Sequence, residues 1–208
     1  MLHIERVHRA QADQARGVVI VVDVIRAFSV ASYAFANGAR GIWLVRTVED
    51  ALVLRVREPT ALLAGEVGGR LISGFDYNNS PARMASADLH GKLLIQTTGA
   101  GTRGAVGAVN ARRLLVSALV NARATAAHAR ALALAADGHV DGGLVTLMPT
   151  ESSAGRDDTA MEDDICADYL EALLLDHPDA PAVLADCLER IRASGRLAIF
   201  AQGDPDFP

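Results

Sequence analysis

The sequence predicts an α/β fold of three layers, α/β/α, with helices on both faces of a largely parallel central sheet. Three observations carry that prediction. Runs such as GVVIVV at 17–22 and LLI at 93–95 are apolar at every position, the pattern of strands covered on both faces. Between them lie longer stretches of helical character, the alanine-rich 122–136 above all. Strand and helix signals then alternate along the chain, which favours parallel strands joined by helical crossovers. No internal repeat, low-complexity linker or break in composition interrupts them, so residues 1–208 read as one domain.

Residues 2–8 alternate apolar and polar and read as an edge strand, followed by a polar connection at 11–16. Strand 17–22 ends at Asp23, and a helix over 26–37 is closed by Gly38. After a strand at 42–45, Thr47 caps the next helix, with Asp50 in the third position of a capping box. Strand 61–64 ends at Gly65-Glu66. Residues 68–81 (GGRLISGFDYNNSP) are loop chemistry that closes on Pro81 as a helix start. A strand at 93–95, a short helix at 102–110 and a strand at 113–117 follow. Helix 122–136 is stopped by Asp137-Gly138. Strand 144–148, a polar loop at 149–157 and helices at 159–175 and 182–193 complete the periodic part, and no such element follows Phe200.

Half of the 208 residues are hydrophobic but only 4% are aromatic, so the core must be built from Ala, Val, Leu and Ile. The net charge is −5 with no basic tract, which argues against a nucleic-acid partner. A phosphorylated ligand would then need local arginines or a metal ion to attract it. Two cysteines, Cys166 and Cys187, in no CxxC spacing give no disulfide scaffold. With no apolar leader and no membrane-spanning run, a soluble cytoplasmic protein without a membrane partner is expected. A homodimer is compatible with these totals.

Ligands of parallel α/β sheets bind outside the carboxyl ends of the strands, and the polar residues at those ends form a set. At 96–104 (QTTGAGTRG) a strand, a glycine turn and a helix start point backbone N–H groups at one spot, which suits an anion. Thr97, Thr98 and Thr102 add hydroxyls, Gly99 and Gly101 permit close approach, and Arg103 adds a fixed charge. The same letters also fit a purely structural turn. Asp23 with Arg26 offers a carboxylate and an arginine fork, and equally an N-capping Asp with an exposed Arg. Glu66 stands between glycines at another strand end. Asn79 and Ser80 sit in the 68–81 loop, and Asn121 just beyond the fifth strand. In the acidic run 157–164, Glu162 shares the inward helix face of Ile165, Tyr169 and Leu173, so Glu162 and then Asp163 are candidate metal ligands. Both also fit as carboxylates favoured in a first helical turn. Asp164, Asp168 and Glu171 read as solvated, and Cys166 as core. The six histidines show no HxxxH spacing, and oxygen donors without histidine favour Mg2+ over zinc.

Taken together, DVIRA at 23–27, GEVGG at 65–69, GFDYNNSP at 74–81, TTGAGTRG at 97–104, NARATA at 121–126 and EDDICADYL at 162–170 resemble the 2-phosphosulfolactate phosphatase (ComB) family, in the family's order and over residues 17–175. The resemblance implies a Mg2+-dependent phosphatase of three-layer α/β fold. Its reaction would hydrolyse 2-phosphosulfolactate, or a related small phosphorylated 2-hydroxy acid, to the free acid and phosphate, a step toward coenzyme M. On that basis Asp23, Glu66, Glu162 and Asp163 are the expected pool of Mg2+ ligands. Thr97, Thr98, Gly99, Gly101 and Thr102 would hold the phosphate, with Asn79, Ser80 and Asn121 also binding substrate. Asp23, Arg26 and Arg103 are the expected catalytic residues. Phe28 replaces a threonine common in the family, and TTGAGT replaces the commoner TTTNGT. The family usually continues with an acidic, aromatic segment, so a ligand from that segment is expected to be missing. The alternative is a non-catalytic protein that keeps a phosphate pocket without turnover.

Overall fold

The computed structural model describes residues 1–135, 140–150 and 161–198. The fold is centred on β2, Val18–Val22, after an edge strand β1, His3–Arg6, and a short 3-10 segment, Arg9–Gln14. Every side chain of β2 is buried, and successive residues point to opposite faces. Val18, Ile20 and Val22 pack against Ala122, Ala126 and Ala129, Ile165 and Leu170, and Cys187 and Ile191. These belong to α5 (Ala122–Leu134), α6 (Met161–Leu174) and α7 (Ala180–Ala193). Val19 and Val21 face the other way, onto Phe28 and Ala31 of α1 (Ala27–Ala36) and Ala105 of α4 (Gly101–Gly107). Helices therefore cover both faces of a parallel sheet, which is the three-layer α/β/α arrangement.

That sheet runs β1-β8-β2-β7, with β7 at Arg113–Ser117 and β8 at Leu144–Pro149, and every pairing is parallel. The remaining strands form a second sheet, β3-β6-β4-β5. Here β3 (Gly41–Leu44), β4 (Leu62–Val67) and β6 (Leu93–Thr97) are parallel, and the short β5 (Arg70–Leu71) is antiparallel to β4. Helix α1 lies between the sheets. Its Phe28 and Ala31 meet the first sheet, while Val30 and Ala34 join Ala64 and Leu94 of the second with Met84 of α3, Pro81–Ser86. A helix without charged residues, apolar but for Ser29, Ser32 and Tyr33, suits such a position. On the outer face of the second sheet, Ala51 of α2 (Val48–Arg57) packs on Leu63 and Ile95.

Local signals behave as their chemistry dictates. The Thr47 hydroxyl accepts the Asp50 N–H at 3.0 Å, Gly38 takes φ +86° past α1, and Pro81 opens α3. Some expectations shift. The 11–16 connection lies partly in the 3-10 segment, the 68–81 loop contains β5, and β4 runs on through Glu66, which pairs with Leu71. Asp168 and Glu171, read as solvated, pair with Arg6 of β1 at 2.9 and 2.6 Å, because α6 packs beside that edge strand. The helix stop at 137–138, the loop at 151–157 and the stretch after Phe200 fall outside the described residues. Among the described residues no helix is long and apolar enough to cross a membrane.

Candidate active site

A cavity of about 290 Å³ opens at the carboxyl ends of β2, β4 and β6, and Asp23, Arg26, Glu66, Asn79, Thr98, Gly99, Glu162 and Asp163 all line it. Residues more than a hundred positions apart thus share one rim. Asn121 and Arg103 do not line it.

Asp23 follows β2 directly and is 5% exposed. Its Oδ1 accepts the N–H of Ala27 at 2.9 Å, so it caps the first turn of α1. Its Oδ2 stands 3.4 Å from the Thr150 hydroxyl. Asp163, in the first turn of α6 and 3% exposed, sends Oδ1 to the N–H of Val24 at 2.7 Å and Oδ2 to the same Thr150 hydroxyl at 3.0 Å. A hydroxyl has one proton and serves one acceptor at a time. Two carboxylates are therefore drawn together in a poorly solvated place, where like charges repel strongly.

Glu162, one residue before, is occupied differently. Arg196, beyond α7, grips it with Nη2 at 2.7 Å and Nε at 3.1 Å, a buried two-pronged pair. Glu66 spends its oxygens on backbone. Oε1 accepts Gly99 N–H at 2.8 Å and Oε2 accepts Gly69 N–H at 2.7 Å, so it straps two glycine turns together. The four expected metal ligands thus line one cavity, yet among the described residues no three His, Cys, Asp or Glu side chains converge as a metal cluster. Asp23 and Asp163, whose side chains meet at the Thr150 hydroxyl, are the pair of hard oxygen donors there, the donor type that suits Mg2+.

The glycine turn is shaped from within. The Thr98 N–H donates to Thr102 Oγ1 at 2.9 Å, and the Thr102 N–H donates to Thr98 Oγ1 at 3.1 Å. These hydroxyls lock the start of α4, and Thr98 alone of the two reaches the cavity. A Cβ on Gly101 would stand 2.6 Å from Asp23 Oδ2 and 2.8 Å from Ala27 Cβ, so only glycine lets α4 approach the carboxylate. Thr97 is buried in β6, its carbonyl pressed against Gly65. Asn79 receives the Gln96 amide at 3.4 Å, which also donates to Ala27 O at 2.9 Å and so ties α1 to the second sheet. Ser80 is fully buried at the start of α3, its hydroxyl without a hydrogen bond among the described residues. Arg26 is buried, its peptide bond to Ile25 is cis, and its Nη2 lies 3.4 Å from Gly69 O.

Asn121 stands away from that cavity and bonds to its own loop. It accepts the Ala118 N–H at 2.8 Å and donates to Val116 O at 3.3 Å, joining β7 to α5. Arg103, expected at the phosphate, lines a separate cavity, because the first turn of α4 carries it outward. Three contributors escaped the sequence reading. Thr150 closes β8, and its position at a strand end was the available signal. Arg9, which donates to Gly99 O at 3.0 Å, and Arg196 carry no local signal, since each acts on a partner far away in the chain.

A family model described as 2-phosphosulpholactate phosphatase matches residues 4–194. A probable 2-phosphosulfolactate phosphatase of Bacillus subtilis is 41% identical over 84% of this chain and 71% of its own length. One of Deinococcus radiodurans is 37% identical over 89% of the chain and 78% of its own length. One of Caldicellulosiruptor saccharolyticus is 33% identical over 77% and 64% respectively.

Proposed function

The chain belongs to the 2-phosphosulpholactate phosphatase family, a family of phosphoric monoester hydrolases, and from that premise we propose that the 290 Å³ cavity performs Mg2+-dependent hydrolysis of 2-phosphosulfolactate or a related small 2-hydroxy acid phosphate. The observation that carries this reading is the pair of buried carboxylates, Asp23 and Asp163, brought to one hydroxyl. Asp23 and Asp163 would hold Mg2+, which would supply charge neutralisation of the phosphoryl group and a water of lowered pKa.

The protein's own groups do the positioning. Asp23 and Asp163 are each held through one oxygen by a backbone N–H, which leaves Oδ2 of each turned toward Thr150 and the shared space. The Arg26 guanidinium binds an anionic group of the substrate, phosphate or acid, through charge-assisted bonds. Glu66 holds the Gly99 and Gly69 turns through their N–H groups, and Asn79 and Thr98 offer neutral polar contacts. Glu162, neutralised by Arg196, adds little field of its own to repel a dianion.

Release of inorganic phosphate from a panel of 2-hydroxy acid phosphates, with Mg2+ and with EDTA, is the test. We expect release that depends on Mg2+, and a fall of roughly a thousandfold in kcat/KM for Asp23→Asn, the loss of several kcal/mol of charge stabilisation. Asp23→Asn turning over near the full rate removes this mechanism. Substrate binding with no release under any divalent cation favours the non-catalytic alternative.

A further inference from the structure

Beside the catalytic cavity lies a second, of about 470 Å³, whose lining includes Arg9, Arg46, Arg103, His8 and Asp13. That volume is ordinary for a small-molecule site, about 300–1,000 Å³. Its charge is out of keeping with the molecule. A chain of net charge −5 gathers three guanidiniums here against the single carboxylate of Asp13. They arrive from separate places. Arg9 starts the 3-10 segment after β1, Arg46 follows β3, and Arg103 sits in the first turn of α4. Arg46 and Arg103 make no hydrogen bond or ion pair among the described residues. The His8 ring is turned inward on its own segment, where Nδ1 accepts the Ala10 N–H at 3.3 Å. Arg9 borders both cavities, and its Nη1 holds Gly99 O of the catalytic turn at 3.0 Å.

We propose that this second cavity is a binding site for a tetrahedral oxyanion, held by Arg46 and Arg103 with Arg9 as the link to the catalytic turn. Planar guanidiniums match phosphate and sulfonate oxygens in pairs, and two of the three have no competing partner. The oxyanion comes either from free phosphate or from the acid group of an organic substrate whose phosphoryl end lies next door. An occupant that engages Arg9 draws on the same guanidinium that steadies Gly99, so the two cavities are coupled through one side chain.

Calorimetric titration of the full chain with inorganic phosphate in EDTA tests this. EDTA removes any divalent cation from the catalytic cavity, and because that cavity also carries Arg26, the Arg46 and Arg103 variants are what assign the heat to the second cavity. We expect saturable binding, weakened on the order of tenfold or more by Arg46→Glu and by Arg103→Glu, and largely kept by Arg46→Lys. Thermal melts of the same variants, compared with the parent chain, confirm that each is folded. No saturable binding, or equal affinity in the parent and both reversed variants, overturns the proposal. Steady-state kinetics of Arg46→Glu then separate the sources. A raised KM identifies the substrate's acid group, and relief of inhibition by added phosphate identifies the free ion. Binding is read without turnover, so a lack of phosphatase activity would count against the catalytic reading and leave this one standing.

Discussion

Asp23 divides its two oxygens between structure and chemistry: Oδ1 caps α1 through Ala27, and Oδ2 faces Thr150 and Gly101. The two readings that the sequence left open, helix cap or functional acid, are therefore compatible in one side chain. Gly101→Ala tests how tightly that second oxygen is confined. The added methyl would meet Oδ2 and the Ala27 methyl well inside contact distance, so the carboxylate or the turn must move. We expect a folded protein destabilised by about 1–3 kcal/mol. Its kcat/KM should fall roughly a hundredfold, the effect of a displacement of about 1 Å at a reacting group. A variant of parental rate and melting temperature would show that the approach of α4 is loose. Asp23, Glu66 and Asp163 could be singled out as candidates because each lies at or within two residues of the end of an element. The fate of Glu162 was not, since its partner Arg196 is identified only once α7 has returned the chain to the rim.

At the level of elements, α6 and α7 are joined through a thiol. Cys187 Sγ donates to Ile165 O at 3.2 Å. Burial, with a smaller push from Asp168, raises that thiol from its ordinary 9.0 to about 11, and burial moves Cys166 well above the usual range as well. In the unfolded chain both thiols lose their protons near pH 9, while in the fold they keep them. Between about pH 9 and 11 the unfolded state binds fewer protons, so stability falls as pH rises through that window. Thermal melts across this range should show a midpoint dropping by a few degrees, and Cys187→Ala should flatten the dependence. A midpoint as steep in the variant as in the parent would remove the thiol from the account. Most of the element order was readable from periodicity and caps, since Thr47, Gly38 and Pro81 all mark real ends, while the 3-10 segment and β5 were not. What periodicity could not show was the pairing of strands. Strands 17–22 and 93–95 look alike as apolar runs, yet they belong to different sheets, because nothing in a fully buried strand says which neighbour it meets.

Across the whole molecule, the sheets meet the site from two sides: β2 and β8 bring Asp23 and Thr150, while β4 and β6 bring Glu66 and Thr98. Any parting of the sheets would separate the acids from the glycine turn. Helix α1 is what opposes that, with Phe28 in one core and Val30 in the other. The consequence concerns cooperativity. Neither half can melt while keeping its own interior dry, because each would have to give up a wall that the other still needs. Calorimetry should record one endotherm whose van't Hoff and calorimetric enthalpies agree, and amide protons of Ile20 and Ile95 should exchange only through global opening. Two resolved endotherms would mean that the buried helix is a lodger in one half rather than the spine of both.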